Sequence, residues 1–337
     1  MQRGDAEGLP LTPFETVPPT EPEQIQHLIR ILRDQMARDY PRGTTKRDAH
    51  PKHHALLEAE FAIEPNLPEA LRVGLFREPR TYRAYVRSSS ASGKIQPDSA
   101  RDLRGFAIKI IGVQGESILP DGDQATQDFV LLSYPFMPLG TVALFHDAIY
   151  YGIKFHRLLF IVKMVLTGRR HILAELDDAR RHHSSPLDVR YWSTTPYLFG
   201  ADRVVKYSVV PTSAYRSSLP ATLTDAYLSD NMAQHLGEHD ATFDFKIQFQ
   251  TDPQRMPIED CRPEWRESDS PFVKVATLRI PKQDFRSAER HELAENLRFT
   301  PGHSLVDHRP IGGLNRARTL IYRALAQFRR ERNGVTS

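Results

Sequence analysis

The 337-residue sequence holds a single cysteine, Cys261. That excludes an intrachain disulfide framework and a cysteine-rich metal centre, and it fits a reducing compartment. Long apolar runs are missing too. The most apolar stretch, Leu158 to Leu166, is interrupted by Lys163 and preceded by Lys154 and Arg157; a membrane-spanning helix needs about 18 or more apolar residues. The first residues carry no apolar signal core, so the expected location is the cytoplasm. Glycine is outnumbered by proline, 18 against 25. Neither GxGxxG nor GxxxxGK[ST] occurs, which removes support for the common nucleotide-binding folds, and HExxH and GxSxG are absent as well. Charge of one sign is not in excess: 45 basic residues face 42 acidic ones, so nothing calls for a nucleic-acid partner. Lysine is scarce, 10 against 35 arginines, and arginine's planar fork suits carboxylate partners better.

What is present reads as one large mixed domain. Residues 1–22 form an arm rich in Pro, Thr and Glu, and residues 333–337 a short tail, leaving 23–332 as a single domain. Ile25, Leu28, Ile29, Leu32 and Met36 recur at helical spacing and predict a helix over 23–38. Strict alternation at Leu57, Ala59, Phe61 and Ile63 predicts a half-buried strand, and the cleanest alternation runs through Phe243, Phe245, Ile247 and Phe249. Further strands are expected at 81–87, 105–111, 126–132, 203–210 and 271–280, with helices at 67–76, 139–151, 152–168 and 222–234. The charged span 169–188 reads as a surface connection. The order is not an alternation of strands and helices, so a doubly wound sheet is disfavoured. An antiparallel barrel with inserted helices fits better and leaves no exposed edge.

Three segments, in order, resemble the haem catalase family. Arg47-x-x-His50-x-Lys52 is similar to the segment carrying the family's distal histidine. Arg101-Asp102-x-Arg104-Gly105-Phe106-Ala107-Ile108-Lys109 is similar to its RD-x-RGFA-x-K strand. Arg318-x-x-x-Tyr322, with Arg329 seven residues on, resembles the helix whose tyrosinate holds the haem iron, and Phe299-x-Pro301 resembles a Phe-x-Pro near the haem. The resemblance covers roughly residues 30–332. It departs at Ser133-Tyr134-Pro135-Phe136-Met137, where the family has asparagine for Ser133 and phenylalanine for Met137. The family's longer members also extend past the last helix. The sequence thus looks like the small catalase-related peroxidases and the allene oxide synthase-like hydroperoxide converters.

The resemblance implies an α+β fold: an eight-stranded antiparallel barrel over about 55–280, a helical insertion at about 139–180, and a haem-bearing helix at about 314–331. It implies haem b as cofactor, with Tyr322 as the iron ligand and Arg318 supporting its phenolate. Arg47, Ala49, Arg104, Phe299 and Arg329 are the further haem-contacting residues, with Arg47 and Arg104 on the propionates. His50 is the expected distal base, with His54 as the alternative, and Ser133 stands in for the peroxide-positioning amide. The expected activity is a haem-dependent peroxidase using hydrogen peroxide or organic hydroperoxides and a small organic reductant, with weak catalase turnover. Hydroperoxide isomerase or dehydratase chemistry and a non-catalytic haem-binding or sensor role are the alternatives. A homo-oligomer, at least a dimer, is expected.

Overall fold

The structure is a computed structural model and describes residues 11–119 and 125–335. Residues 1–10 of the expected arm and 336–337 of the tail lie outside the described residues.

The first helix, α1 (Glu21–Asp39), starts with Pro22 in its first turn and two glutamates there, which suits the positive end of the helix dipole. Its buried stripe of Ile25, Leu28, Ile29, Leu32 and Met36 packs on the last helix, α7 (Gly313–Asn333), through Leu314, Ala317, Ile321 and Leu325. Among the described residues, nine strands lie between these helices: β1 (His53–Ile63), β2 (Thr81–Ser90), β3 (Arg104–Ile111), β4 (Thr126–Leu132), β5 (Tyr191–Trp192), β6 (Tyr197–Leu198), β7 (Val204–Pro211), β8 (Ala241–Phe249) and β9 (Val273–Ile280). All pairings between them are antiparallel.

Eight of them close a barrel. The ladder runs β4-β3-β2-β1-β9-β8-β7, and the two-residue strand β5 bridges its ends, pairing Leu132 of β4 with Trp192 and Val209 of β7 with Tyr191. The sixth strand, β6, is a short addition to β7. The interior is filled by aromatic rings: Phe61 lies 5.0 Å from Phe245, Phe129 4.7 Å from Phe245, and Phe106 stacks on Tyr191 at 4.6 Å. A barrel packed this way has no room for a ligand inside, so any site must lie on its outer wall.

Between β4 and β5 the chain inserts α2 (Val142–Lys154), α3 (Arg157–Leu166) and α4 (Arg170–Asp178). Two further helices, α5 (Tyr227–Glu238) and α6 (Ala288–Asn296), flank the barrel.

Several expectations need correction. The helix expected over 67–76 is two single 3₁₀ turns, Glu69–Leu71 and Gly74–Phe76. Gly74 has φ 51°, and a Cβ there would stand 2.6 Å from the His308 ring, so the chain turns sharply instead of winding on. The charged connection at 169–188 contains α4, whose Ile172 is buried with Leu144, Phe160 and Met164 while Leu173 and Leu176 pack beside them. Its charges cover one face and hid the apolar stripe. The 222–234 helix begins later, at Tyr227, and α6 was not expected at all: it buries only Ala294 and carries little periodic apolar signal.

Candidate active site

One large cavity, about 1000 Å³ including its mouth, lies between the outer wall of the barrel and α7. The barrel side contributes Gly105, Phe106 and Ala107 of β3, Val130 and Leu131 of β4, Arg87 and Ser89 of β2, and the loop Arg47–His50 that leads into β1. The helix side contributes Tyr322, Leu325, Ala326 and Arg329, with Met36 of α1 beside them. Phe299, Thr300 and His303 from the loop after α6 close a third side.

Strand parity decides which residues face this space. Phe106, Ile108 and Ile110 point into the barrel, so Gly105, Ala107 and Lys109 point out. Two of these are small, which makes the barrel wall flat. Gly105 is required: a Cβ there would stand 2.6 Å from the His50 ring and 2.8 Å from the Ser89 hydroxyl. The third, Lys109, is buried against Asp128 at 2.9 Å. Asp128 also accepts the backbone N–H of Thr300 at 3.0 Å and lies 3.0 Å from Nδ1 of His303. This buried cluster ties the loop that carries Phe299 to β3 and β4.

His50 has φ 56°, in the left-handed region that side chains with a Cβ rarely adopt. Its Nδ1 is 2.9 Å from the Ser89 hydroxyl, and its carbonyl accepts from Arg87 at 2.9 Å. With Nδ1 engaged, Nε2 is the ring nitrogen free to serve the cavity. Burial and the nearby arginines Arg87, Arg318 and Arg47 push the imidazole down to about 3, so it is neutral at ordinary pH. His54, the alternative, does not line the cavity. It is buried with Nε2 3.0 Å from the Ser90 hydroxyl and Nδ1 3.6 Å from Asp98.

At one end of the cavity three arginines converge: Arg47, Arg87 and Arg329. Burial pulls all three below the ordinary guanidinium range, Arg87 to about 10, with repulsion from neighbouring arginines adding to it. Arg47 donates to the carbonyls of Ala294 and Leu297 at 3.0 and 2.8 Å, which caps the C-terminal end of α6. Even so, Nη1 of Arg47, Nε of Arg87 and Nη1 of Arg329 are buried without a hydrogen-bond partner among the described residues. Of the carboxylates nearby, Glu295 is held down to about 2, its burial outweighed by His53, Arg47 and Lys46, and burial raises Asp48 to about 6. Buried cations with unused donors call for an anion.

Tyr322 lines the helix side, and the Arg318 guanidinium sits 5.5 Å from its ring centre. Arg318 itself lies behind the cavity wall, bonded to Thr195 and Asn315 at 3.2 and 3.3 Å.

The structure therefore brings Arg47, Ala49, His50, Phe299, Tyr322 and Arg329 to one cavity, and sets Arg318 behind Tyr322. Two expected residues are elsewhere. Arg104 shares the inward parity of Phe106, is almost fully buried, and donates to the Ser90 hydroxyl at the barrel end. Ser133 accepts the backbone N–H of Arg104 at 2.8 Å, extending the β3–β4 ladder, and does not line the cavity. Arg87, the third of the arginines that converge at one end, was missed by sequence reading; Arg298 and Arg323 also line the cavity. The available signal was parity: Arg87 and Ser89 alternate on one face of β2, and they pair with Ala107 and Gly105 across the sheet.

A closed antiparallel barrel with a solid aromatic interior and a large cavity held against its outside by a C-terminal helix defines a recognisable class of protein. No protein-family model matches the sequence, and no curated protein matches it. Among solved structures, the fold matches a fungal catalase with TM-score 0.67 at 15% identity, covering 84% of this chain and 59% of that one. It matches a bacterial catalase with TM-score 0.66 at 17% identity, over 92% and 63%. It matches catalase A from Saccharomyces cerevisiae with TM-score 0.63 at 14% identity, over 85% and 61%. The chain thus has the catalase fold and spans about three fifths of the length of these catalases. No helix among the described residues is long and apolar enough to cross a membrane.

Proposed function

We propose that the protein is a haem-dependent peroxidase acting on hydrogen peroxide or organic hydroperoxides, with weak catalase turnover, of the small catalase-related kind. The observation that carries this reading is a single cavity with a neutral histidine on its barrel side, a tyrosine backed by a buried arginine on its helix side, and three under-partnered arginines at one end. Haem b fits those donors: Tyr322 would hold the iron, and Arg47, Arg87 and Arg329 the two propionates. The flat wall of Gly105 and Ala107 leaves room for a planar group, and Phe299 and Leu325 provide apolar contact. When bound, the haem supplies the redox chemistry that cleaves the peroxide O–O bond.

The protein's own groups do the rest. His50, neutral and oriented by Ser89, takes the peroxide proton at Nε2 and returns it to the leaving oxygen. Arg318 packs against the Tyr322 ring and would help hold that side chain in place as the iron ligand. Apolar Met36, Leu119, Val130 and Leu131 limit water in the cavity.

Among the described residues, no side-chain amide lines this cavity. A peroxide molecule there would have no side-chain amide to position it, and losing one such donor typically costs about 3 kcal/mol in a transition state. This favours oxidation of an organic reductant over disproportionation of hydrogen peroxide. It also favours hydroperoxide isomerase or dehydratase chemistry as the second reading, since an apolar wall without an amide accommodates a long-chain hydroperoxide.

One preparation tests all of these. Oxygen release from hydrogen peroxide, oxidation of a phenolic dye and loss of a fatty-acid hydroperoxide are compared on haem-loaded protein. Dye oxidation exceeding oxygen release supports the peroxidase. Hydroperoxide loss without any reductant supports the isomerase. The absence of all three, with haem bound, overturns both.

A further inference from the structure

We infer that α3 docks the protein on the surface of a bilayer containing anionic phospholipid. Phe160 and Met164 of this helix are buried against α2 and α4. The rest of its apolar residues face solvent: Leu158 is 56% exposed, Val162 43% and Leu166 81%, and Leu159, Ile161 and Val165 are exposed with them. At about 100° per residue, these six span an arc of roughly 160° centred on Val162. Val162 stands opposite the buried pair. Phe155, at the turn into the helix, is also exposed and packs on Tyr150 at 5.3 Å, which adds an aromatic edge suited to the headgroup region.

Charge identifies the occupant. Between Asp147 and Glu175 the sequence has no carboxylate side chain, while Lys154, Arg157, Lys163, Arg169 and Arg170 all fall within it. Arg157 and Lys163 border the apolar arc on its two sides, and Arg169 and Arg170 follow the helix directly. Lys154 and Lys163 are paired with Asp34 and Asp147, but Arg157, Arg169 and Arg170 are exposed and make no side-chain bond among the described residues. An apolar face whose own segment carries three unpaired arginines and no carboxylate matches the headgroup layer of an anionic membrane. A second copy of the chain fits worse. Two copies meeting on this face would press the three free arginines against their equals with no carboxylate in the segment to answer them. Ten residues are too few to span a bilayer, so the helix lies on the membrane.

Flotation of the full chain with vesicles tests this. Phosphatidylcholine mixed with phosphatidylglycerol is compared with phosphatidylcholine alone, at low and high salt. The protein should bind the mixed vesicles at low salt only. Val162→Asp/Leu166→Asp should lower the bound fraction about tenfold or more. Arg157→Gln/Arg169→Gln/Arg170→Gln should lower affinity roughly fivefold per charge removed. Both variants change exposed side chains, and unchanged circular dichroism verifies their fold. A tryptophan introduced by Val165→Trp should shift its emission to the blue only with the mixed vesicles. Failure to bind the mixed vesicles, or equal binding by the parent and the aspartate variant, overturns the proposal. So does an oligomer that the aspartate variant dissociates in lipid-free buffer, because the face then belongs to a second copy. None of these readouts depends on haem or turnover.

Discussion

His50 combines a strained backbone, a buried neutral ring and a fixed tautomeric partner. Such strain persists only where the surroundings enforce it, and here Arg87 holds the carbonyl while Ser89 holds the ring. His50→Ala should slow reaction with peroxide about 100-fold, the low end of general acid–base contributions, without loss of haem. Rapid mixing that follows the first spectral change after peroxide addition measures this. Because the imidazole titrates near 3, the same rate should stay flat as pH falls from 8 to 5. A decline centred near 6.5 would show that His50 is hydrated and titrates normally. Gly105 gives a steric check on the same ring. Gly105→Ala places a methyl 2.6 Å from it, so the ring must move. The expected result is a folded protein, destabilised by about 1–3 kcal/mol, with peroxide reactivity lost and melting still cooperative.

At the level of single elements, β2 and β3 divide their arginines by parity: Arg87 outward to the cavity, Arg104 inward to the barrel end. Replacing each by methionine separates ligand binding from stability. Arg87→Met removes one of three repelling buried cations. It also removes the donor to the His50 carbonyl, so the stability of the haem-free protein should change little, while haem affinity falls tenfold or more, the scale of one buried charge-assisted contact. Arg104→Met should spare haem affinity and lower the melting temperature through the lost Ser90 bond. Haem titration and thermal melts on both variants decide the assignment. The start of α7 depends on another arginine. Arg316 bonds Glu15 at 2.8 Å, Glu21 at 2.7 Å and Glu259 at 2.8 Å. Arg316→Met would strand carboxylates that are largely buried, which costs about 3–5 kcal/mol where a buried pair is broken. Chemical denaturation should read this directly. The motif that pointed to Arg104 was sound as a strand marker, since RGFA-x-K does form β3. It could not tell which of its residues look outward, because both faces of that strand are covered and parity needs a reference side.

Across the whole molecule, several imidazoles are buried neutral. His50 and His308 are pushed down to about 3, His183 to about 4, and His54 well below its usual value, with burial the leading cause in each. An unfolded chain protonates these groups near 6.5 while the folded chain does not. Below 6.5 the unfolded state therefore binds more protons, and stability falls as pH drops. Each such group costs about 1.4 kcal/mol per pH unit in that range. Asp48 acts in the opposite sense: raised to about 6, it gains the folded state some stability as pH falls from 6 towards 3.8. His53, His146 and His235 are lowered as well, and Asp102 is raised like Asp48; seven imidazoles against two carboxyls predict a melting temperature that drops steadily from pH 7 to 5 in calorimetry. A flat profile would mean that the imidazoles reach water.

The alternation of residues in the strands, the stripe on α1 and the three ordered motifs were all local features, and they determined the antiparallel barrel class, the position of β1, β3 and β8, and the pairing of His50 with Tyr322 as candidates. These signals lie within a few residues of each other, where backbone period and side-chain chemistry act directly. Tertiary structure alone decided the remainder. The barrel closes through β5, a strand of two residues whose pairing depends on partners some 15 to 60 positions away. The interior proved solid because rings from several strands meet there. That Arg87 and not Arg104 lines the cavity followed from which side of its strand faces outward, and that His50 lines it and His54 does not followed from the course of the loop into β1. That side exists only once α7 has packed across the outer wall of the barrel.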